Sequence, residues 1–133
     1  MKLLKNCIVF SSIMLSAFVY AQIVLPENKS LIKKQEIKRE LFEIIGYGKY
    51  NSTIIGYAIN CGLVKEDSKI IYENYFKSVE SYNFNDEEKN QIVTNFDETL
   101  KLARDKGPTN SSMTCETFKV EFDKIVKHIK NNK

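Results

Sequence analysis

The chain has 133 residues, 20 basic and 17 acidic side chains, and a formal net charge of +3. That length fits one domain and excludes a large enzyme domain or a polytopic membrane protein. The near-balance of charge excludes a strongly basic nucleic-acid binder.

Residues 1–21 carry the three-part pattern of a secretory signal peptide. Lys2 and Lys5 form a basic start, an apolar run follows to Tyr20, and Val19-Tyr20-Ala21 makes a cleavage site. The run of about 14 residues is shorter than the roughly 20 that span a bilayer as a helix. The sequence therefore predicts cleavage after Ala21, no integral membrane anchor, and a periplasmic or secreted product. Residues 22–133 remain as a single helical domain, with 18 basic and 17 acidic side chains.

Residues 22–29 read as an extended lead-in, since Pro26 disfavours a helix interior. A first helix is predicted from Ser30, with Ile37, Leu41, Ile44 and Ile45 on one stripe. Gly46 and Gly48 are expected to end it. Asn51 to Cys61 contains no charged residue and is apolar almost all round. It reads as a short central buried helix capped by Asn51 or Ser52 and stopped at Gly62. A strand over this stretch is the alternative, given its β-branched residues. Gly56 would let another helix approach closely.

A third helix is predicted over Lys65 to Tyr82, with Ile71, Tyr72, Tyr75, Phe76, Val79 and Tyr82 as a broad aromatic stripe. Asn85 and Glu88 have capping-box spacing and open a fourth helix, which Gly107-Pro108 stops. Thr109 to Thr114 is polar and reads as a loop. A fifth helix starts near Thr114, with Cys115, Phe118, Phe122, Ile125 and Ile129 at spacings of three and four. The fold expected is all-α: a small five-helix bundle-like domain with one disulfide and a short central buried helix.

Removal of the leader takes Cys7 and leaves Cys61 and Cys115. An even pair in an exported chain predicts a disulfide between them. It would fasten the start of the last helix to the end of the central one.

Catalytic patterns are sparse. His128 is the one histidine and flanks the apolar stripe of the last helix, which favours a solvated role over that of a base in a nucleophilic triad. Glu36, Glu40 and Glu43 share a helix side, but away from its apolar stripe, so a water-facing cluster fits better than acid–base chemistry. No calcium loop or phosphate loop occurs. The expectation is a noncatalytic protein with no cofactor and no metal site.

Tyrosine is the residue type most open to use in binding, because it joins a large apolar face to a polar tip. Tyr47 and Tyr50 lie in a glycine-rich turn before the central helix and are the candidate binding residues, since turns displayed by a rigid scaffold often bind. The predicted function is a periplasmic or secreted protein-binding domain whose partner is another protein. The alternative is a carrier of a small apolar ligand, with Phe76, Phe96, Phe118 and Phe122 lining a helical cavity.

The run Met113-Thr114-Cys115-Glu116-Thr117-Phe118, followed by a charged amphipathic helix, joins a leader and a disulfide into that helix. This layout resembles small periplasmic immunity proteins that neutralise cell-wall amidases delivered by rival bacteria. The resemblance covers under a fifth of the chain. It implies an immunity or inhibitor-like role and assigns no binding residue. In size, helices and single disulfide the chain also looks broadly like acid-stress chaperones of the same compartment.

Overall fold

The structure is a computed structural model that describes the backbone of residues 2–108 and 113–132 and the side chains of 29–108 and 113–132. Its helices are α1 (Lys2–Asn60), α2 (Lys65–Glu80), α3 (Asp86–Lys106) and α4 (Cys115–Asn131). Contacts divide the chain into two units, residues 1–39 and 40–133. In the first, the backbone is helical from Lys2. The described side chains there, from Lys29 on, are exposed apart from half-buried Ile37. The side chains of the expected leader, residues 1–21, lie outside the described residues. The extended lead-in expected over 22–29 is helical instead. Pro26 forgoes one main-chain hydrogen bond there without ending the helix. Among the described residues, no helix is long and apolar enough to cross a membrane.

The expectation of five helices is corrected to four. The first two predicted helices are one, because α1 passes through Gly46 and Gly48 without a break. The side chains expected to cap a new helix bind back to the preceding turn. Asn51 Nδ2 donates to the Tyr47 carbonyl at 2.8 Å, and Ser52 Oγ and Thr53 Oγ1 donate to that of Lys49 at 3.1 and 2.7 Å. Gly48 is buried beneath Tyr75, whose hydroxyl end occupies the space a Cβ would need. Glycine is here a packing residue and not a stop. The residues of the expected short central helix form the last turns of α1, with Ile54, Ile55 and Ala58 in the core.

The other boundaries follow local signals. Cys61 and Gly62 leave α1 with Gly62 at φ +68°, a conformation easy for glycine. Asn85 and Glu88 exchange both bonds of a capping box at 2.9 Å. Gly107 and Pro108 follow α3, and both are buried. Thr114 caps α4 by accepting from the Thr117 N–H at 3.2 Å. Most of the expected loop over 109–114 lies outside the described residues.

The core of the second unit joins all four helices. Phe96 of α3 is stacked on Tyr75 at a centroid distance of 5.3 Å and meets Phe76 and Tyr72 edge-on at 5.2 and 5.6 Å. Phe118 of α4 meets Tyr57 of α1 edge-on at 5.7 Å. On α4 the buried residues are Phe118, Phe122 and Val126, and Ile125 and Ile129 are half-buried. Lys130 Nζ reaches Asp67 of α2 at 2.9 Å. The predicted bridge is present, joining the turn after α1 to the first residue of α4, with the Cα atoms of Cys61 and Cys115 5.6 Å apart.

Gly56 is where α1 and α3 come together, as its sequence position suggested. A Cβ there would lie 2.6 Å from the Cβ of Ala103, 2.8 Å from the Arg104 nitrogen and 2.9 Å from the Leu100 oxygen. In an open helix Gly→Ala gains about 1 kcal/mol. Here two of the three obstacles are backbone, so Gly56→Ala is expected to destabilise by about 1–3 kcal/mol through overpacking. Urea unfolding measures the sign directly, and a stabilised variant would contradict this packing.

Candidate functional site

Tyr47 and Tyr50 do not lie in a turn. They sit on the continuous helix α1, at 63% and 59% exposure, three residues apart and therefore neighbours on its surface. The structure adds Phe42, at 79% the most exposed of the large apolar side chains among the described residues. Phe42, Gly46 and Tyr50 follow at intervals of four, which places them along one ridge. Beyond its two chain neighbours and the helix's own backbone, no atom of the described residues lies within 4 Å of the position a Gly46 Cβ would take. The ridge therefore has a ring at each end and a gap between.

The opposite side of this segment explains the arrangement. Ile44 and Gly48 are buried, and Leu41 and Ile45 are half-buried against the core. Phe42 lies off that stripe, next to Glu43, so it faces away from the bundle. Sequence reading missed it because Phe42 sits within an apolar pair, Leu41-Phe42, and looks like core unless the helical phase is followed residue by residue.

Beside the ridge, Tyr47 borders a recess of about 410 Å³ between α1 and the end of α2. Asn51, Asn74, Ser78, Ser81 and Tyr82 line it with Tyr47, above buried Ile44 and Tyr75. Tyr50 is not part of that lining. Among the described residues, no charged side chain lines the recess. Several donors are already used locally: Asn51 on Tyr47, Ser78 Oγ on the Asn74 carbonyl at 3.1 Å, and Ser81 Oγ on the Ser78 carbonyl at 2.6 Å. The amide of Asn74 and the hydroxyls of Tyr47 and Tyr82 add groups that can donate or accept, so the recess is polar and uncharged.

Beneath it, Tyr75 donates its hydroxyl to the Ile44 carbonyl at 2.9 Å, and burial pushes its pKa up to about 12. The folded state holds the neutral hydroxyl, whereas the unfolded chain releases the proton near the ordinary tyrosine value of about 10. This contribution to stability is complete below about pH 10 and is lost as the pH rises towards about 12. Tyr75→Phe is expected to cost about 1 kcal/mol at neutral pH and to flatten the alkaline decline. Urea unfolding of both proteins across that window tests this, and parallel curves would contradict it.

The other candidates stand apart. His128 is exposed on α4, with its ring 3.1 Å from Asn132 Nδ2. Glu36 and Glu43 are exposed, and Glu40 is half-buried. Among the described residues, no three His, Cys, Asp or Glu side chains are grouped to hold a metal ion. Phe96, Phe118 and Phe122 are buried and Phe76 half-buried, in contact with other rings. These four rings pack in or against the core. Compared with protein-family models, with curated proteins and with solved structures, the chain matches none.

Proposed function

We propose that the protein is an exported, noncatalytic domain that binds another protein through the Phe42–Tyr47–Tyr50 surface of α1. The observation that carries this reading is the exposure of three large aromatic rings on one short segment of a helix whose other side is core. Exposed aromatics of this kind supply most of the binding energy at many interfaces. The partner presents an apolar side chain to the gap over Gly46 and hydrogen-bonding groups to the polar recess beside Tyr47. An immunity or inhibitor-like role is the same reading with an enzyme as the partner.

The Cys61–Cys115 bridge supports an oxidising compartment, and the leader pattern supports export to it. Intact-mass measurement of the exported protein is expected to show a chain beginning at Gln22. Retention of Met1 to Ala21 in that fraction would contradict export by cleavage.

Affinity capture from the organism's own exported fraction tests the binding surface. The wild-type protein is expected to retain a partner that Phe42→Ala/Tyr50→Ala loses, while circular dichroism and Tm show the fold kept. Equal retention by the two proteins would overturn the reading. So would self-association of the purified protein through these rings.

A further inference from the structure

The recess beside Tyr47 is walled by two helical rows. Tyr47 and Asn51 stand one turn apart on α1, and Asn74 and Ser78 one turn apart on α2, with Ser81 and Tyr82 just past its end. Its floor is apolar. Ile44 is buried there, and Tyr75 commits its hydroxyl to the Ile44 carbonyl, which leaves its ring to the recess. Tyr82 is steadied by stacking on Phe84, with ring centroids 5.3 Å apart.

The walls narrow the chemistry of a ligand. Charged residues make up 28% of the chain, yet among the described residues none lines this recess. A charged ligand would find no counter-charge. An apolar one would strip water from amides and hydroxyls without replacing their hydrogen bonds. Asn, Ser and Tyr side chains can both donate and accept, which suits a ligand whose own groups do the same. A sugar hydroxyl is such a group, and a sugar ring also has a C–H face that packs on the negative face of an aromatic ring. A peptide backbone donates and accepts too, but it is read by strand edges or by free main-chain groups. Here the walls are helices, whose main-chain groups are bonded within the helix. A second recess, of about 370 Å³, is lined by Glu73, Asn74, Lys77 and Asn132. Asn74 belongs to both recesses, and one acid and one base leave the second without net charge.

We propose that these two adjoining recesses bind a neutral oligosaccharide, with one sugar unit in each and Asn74 between them. The unit in the first recess packs its C–H face on Tyr47 and turns its polar groups to Asn51, Asn74 and Ser78. An N-acetylated sugar fits best. Its acetamido N–H and C=O match the side-chain amides of Asn51 and Asn74, and its methyl lies over the Ile44–Tyr75 floor. The site goes beyond the protein-binding reading and does not rest on it. Because Tyr47 belongs to both, the sugar and a protein partner compete.

The test is a nuclear magnetic resonance titration of the purified, isotope-labelled exported protein, with no partner present, using tri-N-acetylchitotriose. Saturable shifts are expected at Tyr47, Asn51, Asn74, Ser78 and Asn132, with a Kd of about 1 mM or tighter. The single sugar N-acetylglucosamine fills one recess and should bind about tenfold more weakly. Raised salt should leave the affinity unchanged, because the ligand carries no charge. Tyr47→Ala and Asn74→Ala remove exposed side chains and should each weaken binding about five- to tenfold while keeping Tm. Absence of saturable shifts, shifts centred on other residues, equal binding of a capped trialanine peptide, or wild-type affinity in both variants would each overturn the proposal.

Discussion

Loss of the Cys61–Cys115 bridge is expected to lower stability by about 4 kcal/mol, the chain-entropy value for a loop of this length, 54 residues in sequence separation. The loss should appear first in α4. That helix begins at the bridge, and Thr114 just before it is already exposed. Without the bond it is held by burial of Phe118, Phe122 and Val126, by the Phe118–Tyr57 contact, and by the Lys130–Asp67 pair. Burial of such side chains contributes roughly 1.5–3 kcal/mol each, enough to keep α4 associated but not fixed. The partly exposed ion pair contributes about 1 kcal/mol or less. Hydrogen exchange on Cys61→Ser/Cys115→Ser should therefore show α4 amides losing protection before those of α2 and α3. Uniform loss across the bundle would contradict the stapling role. Two reactive thiols in the native, unreduced protein would contradict the bond itself.

Phe96→Ala is expected to be as damaging, at about 3–5 kcal/mol. Phe96 has no exposed surface and touches three rings of α2, from Tyr72, Tyr75 and Phe76. Truncation opens a cavity at the one place where α2 and α3 share an aromatic cluster, and it removes geometric pair terms of about 0.5–1.5 kcal/mol each. A fall in Tm on the order of 15 °C follows for a domain of this size. Phe96→Leu keeps much of the volume and provides a foldable comparison. Phe42→Ala makes the same truncation on the 79% exposed ring and is expected to stay within about 0.5 kcal/mol of the wild type. A large loss at Phe42 would mean that the ring serves the fold, and it would remove the main reason to assign it to binding.

The difference between these two phenylalanines shows what was legible in the sequence. The start of α3 was readable because Asn85 and Glu88 are three residues apart and satisfy each other locally. The end of α3 was readable from Gly107-Pro108. The start of α4 was readable from Thr114, and its disulfide from the count of cysteines outside the expected leader. The joining of two predicted helices into α1 was not readable. Gly46, Gly48, Asn51 and Ser52 all favour a break by local preference. The override comes from Tyr75, 27 residues beyond Gly48, whose ring needs the space that glycine leaves. On α4 the apolar count placed Ile125 on the buried stripe, but the helix turns Val126 inward at four-residue steps from Phe118 and Phe122.

The candidate site was legible in part. Tyrosine chemistry pointed to Tyr47 and Tyr50, and both are exposed on α1. Their setting was misread as a turn for the same reason that α1 was divided. Phe42 required the helical phase of the whole segment.

Contact of the α1 aromatic surface with another protein is the central proposal for this molecule. A photo-cross-linking phenylalanine analogue placed at position 50, and separately at exposed Lys101 on α3, tests it in the living cell. Illumination is expected to give a covalent adduct with one other protein from position 50 and none from position 101. No adduct at position 50, or the same adducts from both positions, would contradict it.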